Sequence, residues 1–471
     1  MKTIILKSLL VISQAAFSQP VSPFASIWEG KLNVGVELRI VFHISEVKKG
    51  VYTSTADSPD QSAFGLKCDT TKINGNAIII EMTELQASFN GELVNDSTID
   101  GVFTQGMEFP LVLRKTDKPG ERKRPQTPQP PFPYRSEDVI YHNRDKTLQY
   151  GATITIPEGK GVFPAAVLIT GSGPQDRDET LMGHKLFTVL ADHLTRNGFI
   201  VLRVDDRGVG KSTGAFTEAT TADFANDVKT SLDYLFSRPE VDKKKTGLIG
   251  HSEGGMIAPM VAVERKEIDF IVLLAAPGVP IVDLMAEQNH AIAKSNDVSA
   301  ETLKEIRPLF KRVVMSIQSE KDSLAAFANT AMMLENWMVN KSPTILEELK
   351  LVTSKQRMEY VRAMVAQLQS PWFRYFMAFN PGEYLEQLTC KVLALNGERD
   401  IQVISQQNIN GITRALKGSG AKAYDVVELS GMNHLFQSCK KCTLDEYSEL
   451  EETFSPVALK VITDWLNKNV K

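Results

Sequence analysis

The chain has 471 residues, room for roughly two to four ordinary domains and too many for a minimal disulfide-stapled scaffold. Hydrophobic residues make up 42% and charged residues 23%, which excludes both a disordered chain and a polytopic membrane protein. Lys and Arg total 53 against 57 Asp and Glu, a net charge of -4, so no sequence-wide field attracts nucleic-acid phosphates and no nucleic-acid partner is expected.

Met1 to Ser18 has the layout of an export signal: Lys2 and Lys7, an apolar stretch through Leu9 to Ile12, then Ala16-Phe17-Ser18 with small residues at the cleavage positions. Cleavage before Gln19 and a periplasmic or secreted protein are expected. No later segment approaches the roughly 20 apolar residues of a spanning helix, so no membrane span is expected. From about Ile27 to Leu113, short alternating runs such as Ala77 to Met82 are separated by turn signals such as Asn74-Gly75 and Asn90-Gly91. This pattern predicts a small all-β domain, an antiparallel sandwich or barrel, over 19–114. Residues 115–134 carry six prolines among Lys, Arg and Gln, a composition that stays extended and solvated, so they are expected to be a linker.

Beyond 135 the pattern changes after two strands, near Val139 to His142 and Gln149 to Ile156. Apolar runs at Ala165 to Ile169, Phe199 to Leu202, Gly247 to Ile249 and Phe270 to Leu274 alternate with helical segments near His184 to Asn197, Ala222 to Ser237 and after Gly255. Buried strands separated by helices predict a mostly parallel sheet built from right-handed βαβ units. The alternation stops near Asp283 and resumes at Val392 to Leu395. Residues 283–385 between them have helical spacing, as in Leu324 to Trp337 and Lys355 to Leu368, and are expected to form a helical cap inserted in the sheet domain.

The chemistry is concentrated in a few turns. Gly250-His251-Ser252-Glu253-Gly254 fits G-x-S-x-G directly after a predicted strand and before a predicted helix, which places the Ser252 hydroxyl on a tight turn above the strand ends. A serine hydroxyl needs a base. Of the seven histidines, His434 lies just past the last apolar strand, Val426 to Leu429, while the side chain of His251 diverges from its neighbour. The orienting carboxylate is expected after the preceding strand, where Asp400 is preferred and Glu398, expected to flank a salt link to Arg399, is the alternative. The order Ser252, Asp400, His434 fits a nucleophile, acid and base triad. The turn Thr170 to Pro174 offers the backbone N-H of Ser172 (Gly173 as alternative) as an oxyanion donor, beside the N-H of Glu253.

Several other patterns carry no such chemistry. Gly208 to Ser212 ends like a phosphate loop, but Asp205 stands where its first glycine belongs, and Gly171-x-Gly173 is followed by Asp176 in place of the third glycine of a dinucleotide fingerprint. Asp176 to Glu179 lacks a histidine and is expected to be a solvated, salt-bridged loop rather than a metal site. Cys439 and Cys442 are too few for zinc and predict a local disulfide, with Cys68 and Cys390 as buried thiols. No cofactor and no metal are expected.

Ile169 to Asp178, Arg203 to Ser212, Gly250 to Gly255 and Asn433-His434 together resemble the α/β-hydrolase superfamily, in its esterase and serine-aminopeptidase-like branch. The resemblance covers about 135–471. It implies an α/β-hydrolase fold, a carboxylesterase-type activity on a small-molecule ester, a helical cap over the site, and catalytic roles for Ser252, Asp400 and His434. Two alternatives stand beside this expectation. One is a serine exopeptidase, which needs a carboxylate for the substrate amine. The other is an envelope or glycan-binding protein in which the β domain, whose partner is not legible, carries the function. Trp337, Trp372, Phe373 and Phe376 are candidates for the pocket wall or for the core of the cap.

Overall fold

The computed structural model describes residues 22–34, 37–61, 63–117 and 124–471; the expected signal segment at 1–18 lies outside them. The chain divides into two compact units, one before and one after the boundary between residues 121 and 122.

In the first unit nine strands follow one another: β1 (Ile27–Asn33), β2 (Glu37–Lys48), β3 (Val51–Ser58), β4 (Ala63–Lys67), β5 (Thr70–Asn74), β6 (Ala77–Met82), β7 (Ala87–Asn95), β8 (Thr98–Gln105) and β9 (Met107–Thr116). They form one antiparallel sheet in the order β4-β3-β2-β1-β9-β8-β7-β6-β5. The sheet curls until β3 and β5 meet, with Ser54 Oγ 2.7 Å from Thr71 Oγ1. Alternation decides the faces: along β6, Ile78, Ile80 and Met82 are buried while Ala77, Ile79 and Glu81 are exposed. The inward residues surround Trp28, Phe42 and Phe89, and Trp28 satisfies its buried indole N-H on the Phe24 carbonyl at 2.9 Å. This packed interior is the antiparallel β domain read from the alternating runs.

The expected linker has a different second half. Arg124 donates to the carbonyls of Leu450, Met182 and Ser448, and Gln126 donates to the Phe454 carbonyl while accepting from the N-H groups of Thr453 and Phe454. Residues from Arg124 onward are therefore fastened along the second unit, because two side chains satisfy backbone groups that would otherwise lie unpaired near the C-terminal helix.

The second unit has an eight-stranded sheet. It opens with the antiparallel pair β10 (Tyr134–His142) and β11 (Gln149–Pro157) and continues with β12 (Phe163–Ile169); a two-residue hairpin, β13 (Thr180–Leu181) and β14 (His184–Lys185), pairs apart from it. The remaining strands are β15 (Ile200–Val204), β16 (Val241–His251), β17 (Phe270–Leu274), β18 (Lys391–Gly397) and β19 (Ala423–Leu429). The order is β10-β11-β15-β12-β16-β17-β18-β19, parallel from β15 to β19. Helices α1 (Leu186–Arg196), α2 (Thr221–Ser237) and α3 (Gly254–Glu264) provide the first crossovers. Alternate residues of each strand serve opposite faces: Val167 and Ile169 pack with α2 and α3, while Ala166 and Leu168 pack with α1 and the C-terminal helix. Each fully buried Leu or Ile contributes on the order of 2 kcal/mol, so helices on both faces are what make a parallel sheet stable.

Between β17 and β18 the chain forms seven helices: α4 (Ile281–Ser295), α5 (Ala300–Gln318), α6 (Ser323–Met338), α7 (Pro343–Glu348), α8 (Ser354–Leu368), α9 (Pro371–Ala378) and α10 (Gly382–Leu385). Trp337 is buried among them, its indole donating to Glu305 at 3.2 Å. The sheet is completed by α11 (Ser405–Gly418), a four-residue turn α12 (Glu446–Glu449) and α13 (Pro456–Asn469). Because β12 lies between β15 and β16, the chain leaves β12 toward one edge and returns across it to β16. Loops at the carboxyl ends of β12 and β16 diverge there and leave the crevice in which open α/β sheets bind ligands.

Cys439 and Cys442 form the expected disulfide. Cys390 is buried as expected, whereas Cys68 is only half-buried because it lies in the turn joining β4 to β5. Burial pushes the Cys390 thiol up to about 12, so almost no thiolate is present near neutrality. Alkylation of the native protein at pH 7.5, read by mass spectrometry, is expected to leave Cys390 unmodified and to modify it fully only after unfolding; rapid native labelling of Cys390 would show that its environment is open.

Candidate active site

Ser252 occupies the turn between β16 and α3 with φ at 53°, a left-handed conformation that costs a non-glycine residue on the order of 1 kcal/mol or more. Its neighbours make the turn possible. A Cβ at Gly250 would stand 2.0 Å from the Gly254 carbonyl oxygen, and one at Gly254 would stand 2.2 Å from that of Ile169. The Ser252 N-H is fixed to the Leu274 carbonyl at 2.8 Å. Ser252 therefore sits at the mouth of the sheet directly before α3, whose positive N-terminal end faces the same crevice.

After β18 the chain turns through Asp400, whose Oδ1 accepts the N-H groups of Gln402 at 2.7 Å and Val403 at 2.9 Å. Its Oδ2 lies 2.7 Å from His434 Nδ1, and both residues are buried, with 3% and 4% exposure. A carboxylate there accepts a hydrogen bond from Nδ1-H, which leaves Nε2 with its lone pair. The loop after β19 holds His434 in place: Asn433 Oδ1 accepts from the N-H groups of Leu435 and Gln437, each at 3.0 Å. Glu398 is turned elsewhere, its Oε2 accepting from Ser430 Oγ at 2.7 Å and Gly431 N at 3.0 Å. These bonds steady the start of the His434 loop and hold the exposed carboxyl below its usual range.

The loop after β12 approaches from the other side: a Cβ on Gly171 would lie 3.2 Å from that of Ser252. Ser172, Ser252, Glu253 and His434 thus line one cavity of about 370 Å³. Its walls are mostly apolar, with Leu284 and Met285 from α4 and Trp372, Phe373 and Phe376 from α9. The Trp372 ring stacks on Phe376 at 4.7 Å and meets Phe373 edge-on at 4.4 Å. Its indole N-H donates to Glu253 Oε1 at 2.8 Å, where Thr221 Oγ1 also donates at 2.7 Å. Burial raises the Glu253 carboxyl above its ordinary value in spite of these donors.

The structure corrects one half of an expectation here: Asp176 to Glu179 is salt-bridged as expected, but it is only partly solvated and its last residue is buried. Arg177 Nη2 pairs with Asp205 Oδ2 at 2.6 Å, Asp178 binds the guanidinium of Arg203, and Glu179 is completely buried. Its Oε1 accepts the Gly171 N-H and meets His251 Nδ1, both at 2.8 Å. His251 turns away from Ser252 toward this carboxylate. Nothing local in Asp176-Arg177-Asp178-Glu179 distinguishes the buried acid from its neighbours; its partners come from the loop after β12 and from the end of β16.

The matching family model, described as serine aminopeptidase S33, covers residues 184–357. The esterase EstD of Thermotoga maritima is 37% identical over 135 residues, 29% of this chain and 32% of that protein. The protein bem46 of Schizosaccharomyces pombe is 25% identical over 207 residues, 41% of this chain and 67% of its own length. The chain thus spans about a third of the first of these relatives. Among solved structures, the esterase Pf2001 of Pyrococcus furiosus superposes with a TM-score of 0.43 at 15% identity, covering 75% of this chain and all of that one.

Over the residues that the family model matches, the second unit is similar to the serine aminopeptidase S33 group of α/β hydrolases. Within this unit the loop that carries Ser172 is tied down by a further acid. Asp206 accepts from Thr170 Oγ1 at 2.7 Å and from the Gln175 N-H at 2.9 Å, and burial pushes its carboxyl up to about 8. The unfolded chain ionises an aspartate near pH 4, so the folded state binds the extra proton. The associated stability is complete below about pH 4 and lost as pH rises through about 8. The difference in Tm between wild type and Asp206→Asn is therefore expected to shrink from pH 5 to pH 8 and then level off; a difference constant over that range would mean that Asp206 is ionised in the fold.

Proposed function

We propose that the α/β-hydrolase unit is a serine esterase that cleaves neutral carboxylic esters of small molecules through an acyl-enzyme. The observation that carries this reading is the buried 2.7 Å contact between His434 Nδ1 and Asp400 Oδ2, with His434 and Ser252 in the wall of one cavity.

In this reading His434 Nε2 takes the Ser252 proton as Oγ attacks the ester carbonyl, and Asp400 holds the tautomer and stabilises the imidazolium. The tetrahedral oxyanion is met by the N-H groups of Ser172 and Glu253, each worth about 3 kcal/mol in such sites. Collapse passes the proton from His434 to the leaving alcohol and leaves Ser252 acylated. Water, deprotonated by the same imidazole, then attacks the acyl carbon, Ser252 Oγ departs and is reprotonated, and the acid is released. Every proton in this cycle is carried by His434 or water, and no other group is called upon.

The substrate class follows from the wall of the cavity. Among the described residues that line it there is no Lys or Arg, so a negatively charged acyl group would find no counterion. The aromatic set on α9 offers a flat apolar surface instead, and α4 and α9 act as the cap that covers the acyl group. The exopeptidase reading draws on the family description, but Glu253 is committed to Thr221 and Trp372 and the charge of Glu179 is met by His251. Export is part of the proposal and rests on Met1 to Ser18 and on the disulfide, a bond that persists in oxidising compartments. Among the described residues no helix is long and apolar enough to cross a membrane.

Ser252→Ala is expected to abolish fluorophosphonate labelling and to lower hydrolysis of short p-nitrophenyl esters by at least about a thousandfold, while aminoacyl-amide turnover stays at background in the wild type. Retained ester hydrolysis in Ser252→Ala would refute the assignment. Trp372→Ala removes a ring from the cavity wall, and over a panel of acyl lengths the optimum is expected to move to longer chains; an unchanged optimum would place the acyl group elsewhere.

A further inference from the structure

Three backbone segments must be held in register for the proposed chemistry: the oxyanion loop at 171–172, the turn at Ser252, and the loop that carries His434. They meet at one side-chain pair that the mechanism does not use. Glu179 Oε1 accepts the Gly171 N-H at 2.8 Å and faces His251 Nδ1 at 2.8 Å, and His251 Nε2 lies 3.1 Å from the His434 carbonyl oxygen. His251 immediately precedes Ser252 in the chain, so its ring bridges both partner loops from the nucleophile's own turn. The His251 and His434 rings are 4.8 Å apart, centre to centre. The pair is sealed, with 2% side-chain exposure for His251 and none for Glu179.

A carboxylate and a peptide carbonyl are both acceptors. Serving an ionised Glu179 and the His434 carbonyl at once takes a proton on each ring nitrogen, which makes His251 an imidazolium. Beside that carboxylate a neutral imidazole, with one N-H, can donate to only one of the two loops. Burial by itself would depress the basicity of His251, yet the charge of Glu179 and the two hydrogen bonds outweigh it and leave the imidazole above its ordinary value.

We infer that Glu179 and His251 are positioning residues: as a buried carboxylate and imidazolium they lock the oxyanion loop and the His434 backbone to the nucleophile turn. The inference rests on the esterase reading and adds to it a second, non-reacting His and acid pair with a defined protonation state. Its effect belongs to the transition state. The pair sets where the Ser172 N-H and the His434 ring stand relative to Ser252, while the acyl group is held by the walls from α4 and α9.

Glu179→Gln tests this without changing shape, because the amide oxygen still accepts from Gly171 while the neutral His251 gives up one of its two bonds. The expected result is a fall in kcat on the order of tenfold or more, since a misplaced oxyanion donor is costly, with KM within twofold and Tm little changed. Affinity for a trifluoromethyl ketone, which forms the tetrahedral adduct with Ser252, should fall in the same proportion as kcat/KM, while affinity for the matching secondary alcohol stays constant. Glu179→Ala should be at least as impaired, and if it fails to fold the isosteric variant decides. Wild-type kcat in Glu179→Gln would overturn the inference, and so would parallel losses of ketone and alcohol affinity, which mark general damage. A wild-type protein that neither takes the fluorophosphonate nor turns over any ester would instead overturn the esterase reading, and the inference with it.

Discussion

A non-glycine residue at φ 53° between a parallel strand and a helix needs room on every side, and the surroundings of Ser252 are arranged to provide it. Gly250 and Gly254 are bare because the backbone of the turn and of β12 occupies the space where their side chains would be. The Leu274 carbonyl at the end of β17 takes the Ser252 N-H, so the neighbouring strand fixes the height of the turn. Helix α3, which follows at once, is buried from Gly254 to Ala262. The turn is thus clamped by the middle of the sheet, and its strain is met by a fully buried part of the unit. The other functional loops leave strands that are hydrogen-bonded into the same sheet, so their positions relative to Ser252 follow from register.

What could be read from the chain divides along the same line. The strands and crossover helices were legible because their signal is local: Phe270 to Leu274 is apolar throughout and buried throughout, and Leu324 to Trp337 carries helical spacing within α6. The position of Ser252 on its turn was legible through its glycines, and the positions of Asp400 and His434 through their place after the last two strands. The pair Glu179 and His251 was not, since the sequence places the acid in a charged tetrapeptide and the imidazole beside a serine. Its partners are 8 residues away in one case and 183 in another. A buried ion pair leaves no periodicity and no spacing, and only the folded sheet brings its members together. The start of β16 was missed for a related reason: Asp242 to Lys245 is polar and forms a bulge, with the strand pairing to β12 at Val241 and again only from Thr246.

The charged residues near the site form a graded series rather than a solvated surface. Outermost, the exposed Asp138 lies within reach of both Arg177 and Lys211. Further in, Arg177 joins the buried Asp205 and Arg203 holds Asp178. Asp206 stands closer still, where burial keeps its carboxyl protonated into the neutral range and its oxygens hold Thr170 and Gln175. At the centre, burial is offset by pairing, as in Glu179 with His251 and Asp400 with His434. A near-neutral total charge therefore conceals a local concentration of acids on one loop system, and that concentration has a structural use.

Each of these acids accepts backbone or side-chain N-H groups from a loop that would otherwise end in unpaired donors at the mouth of the sheet. Asp400 takes two N-H groups from its own turn, Glu179 takes Gly171, and Asp206 takes Gln175. Unsatisfied buried donors cost on the order of 1 to 3 kcal/mol each, so without the acids these loops would turn outward to water. With them, the N-H of Gly171 is already consumed by Glu179, so under the proposed esterase reading the next amide along the loop, that of Ser172, is the donor left for the oxyanion. On that reading the same acceptors that make short, glycine-rich loops stable at this place would also select which backbone donor a substrate oxygen meets, and one group of side chains would set both stability and chemistry.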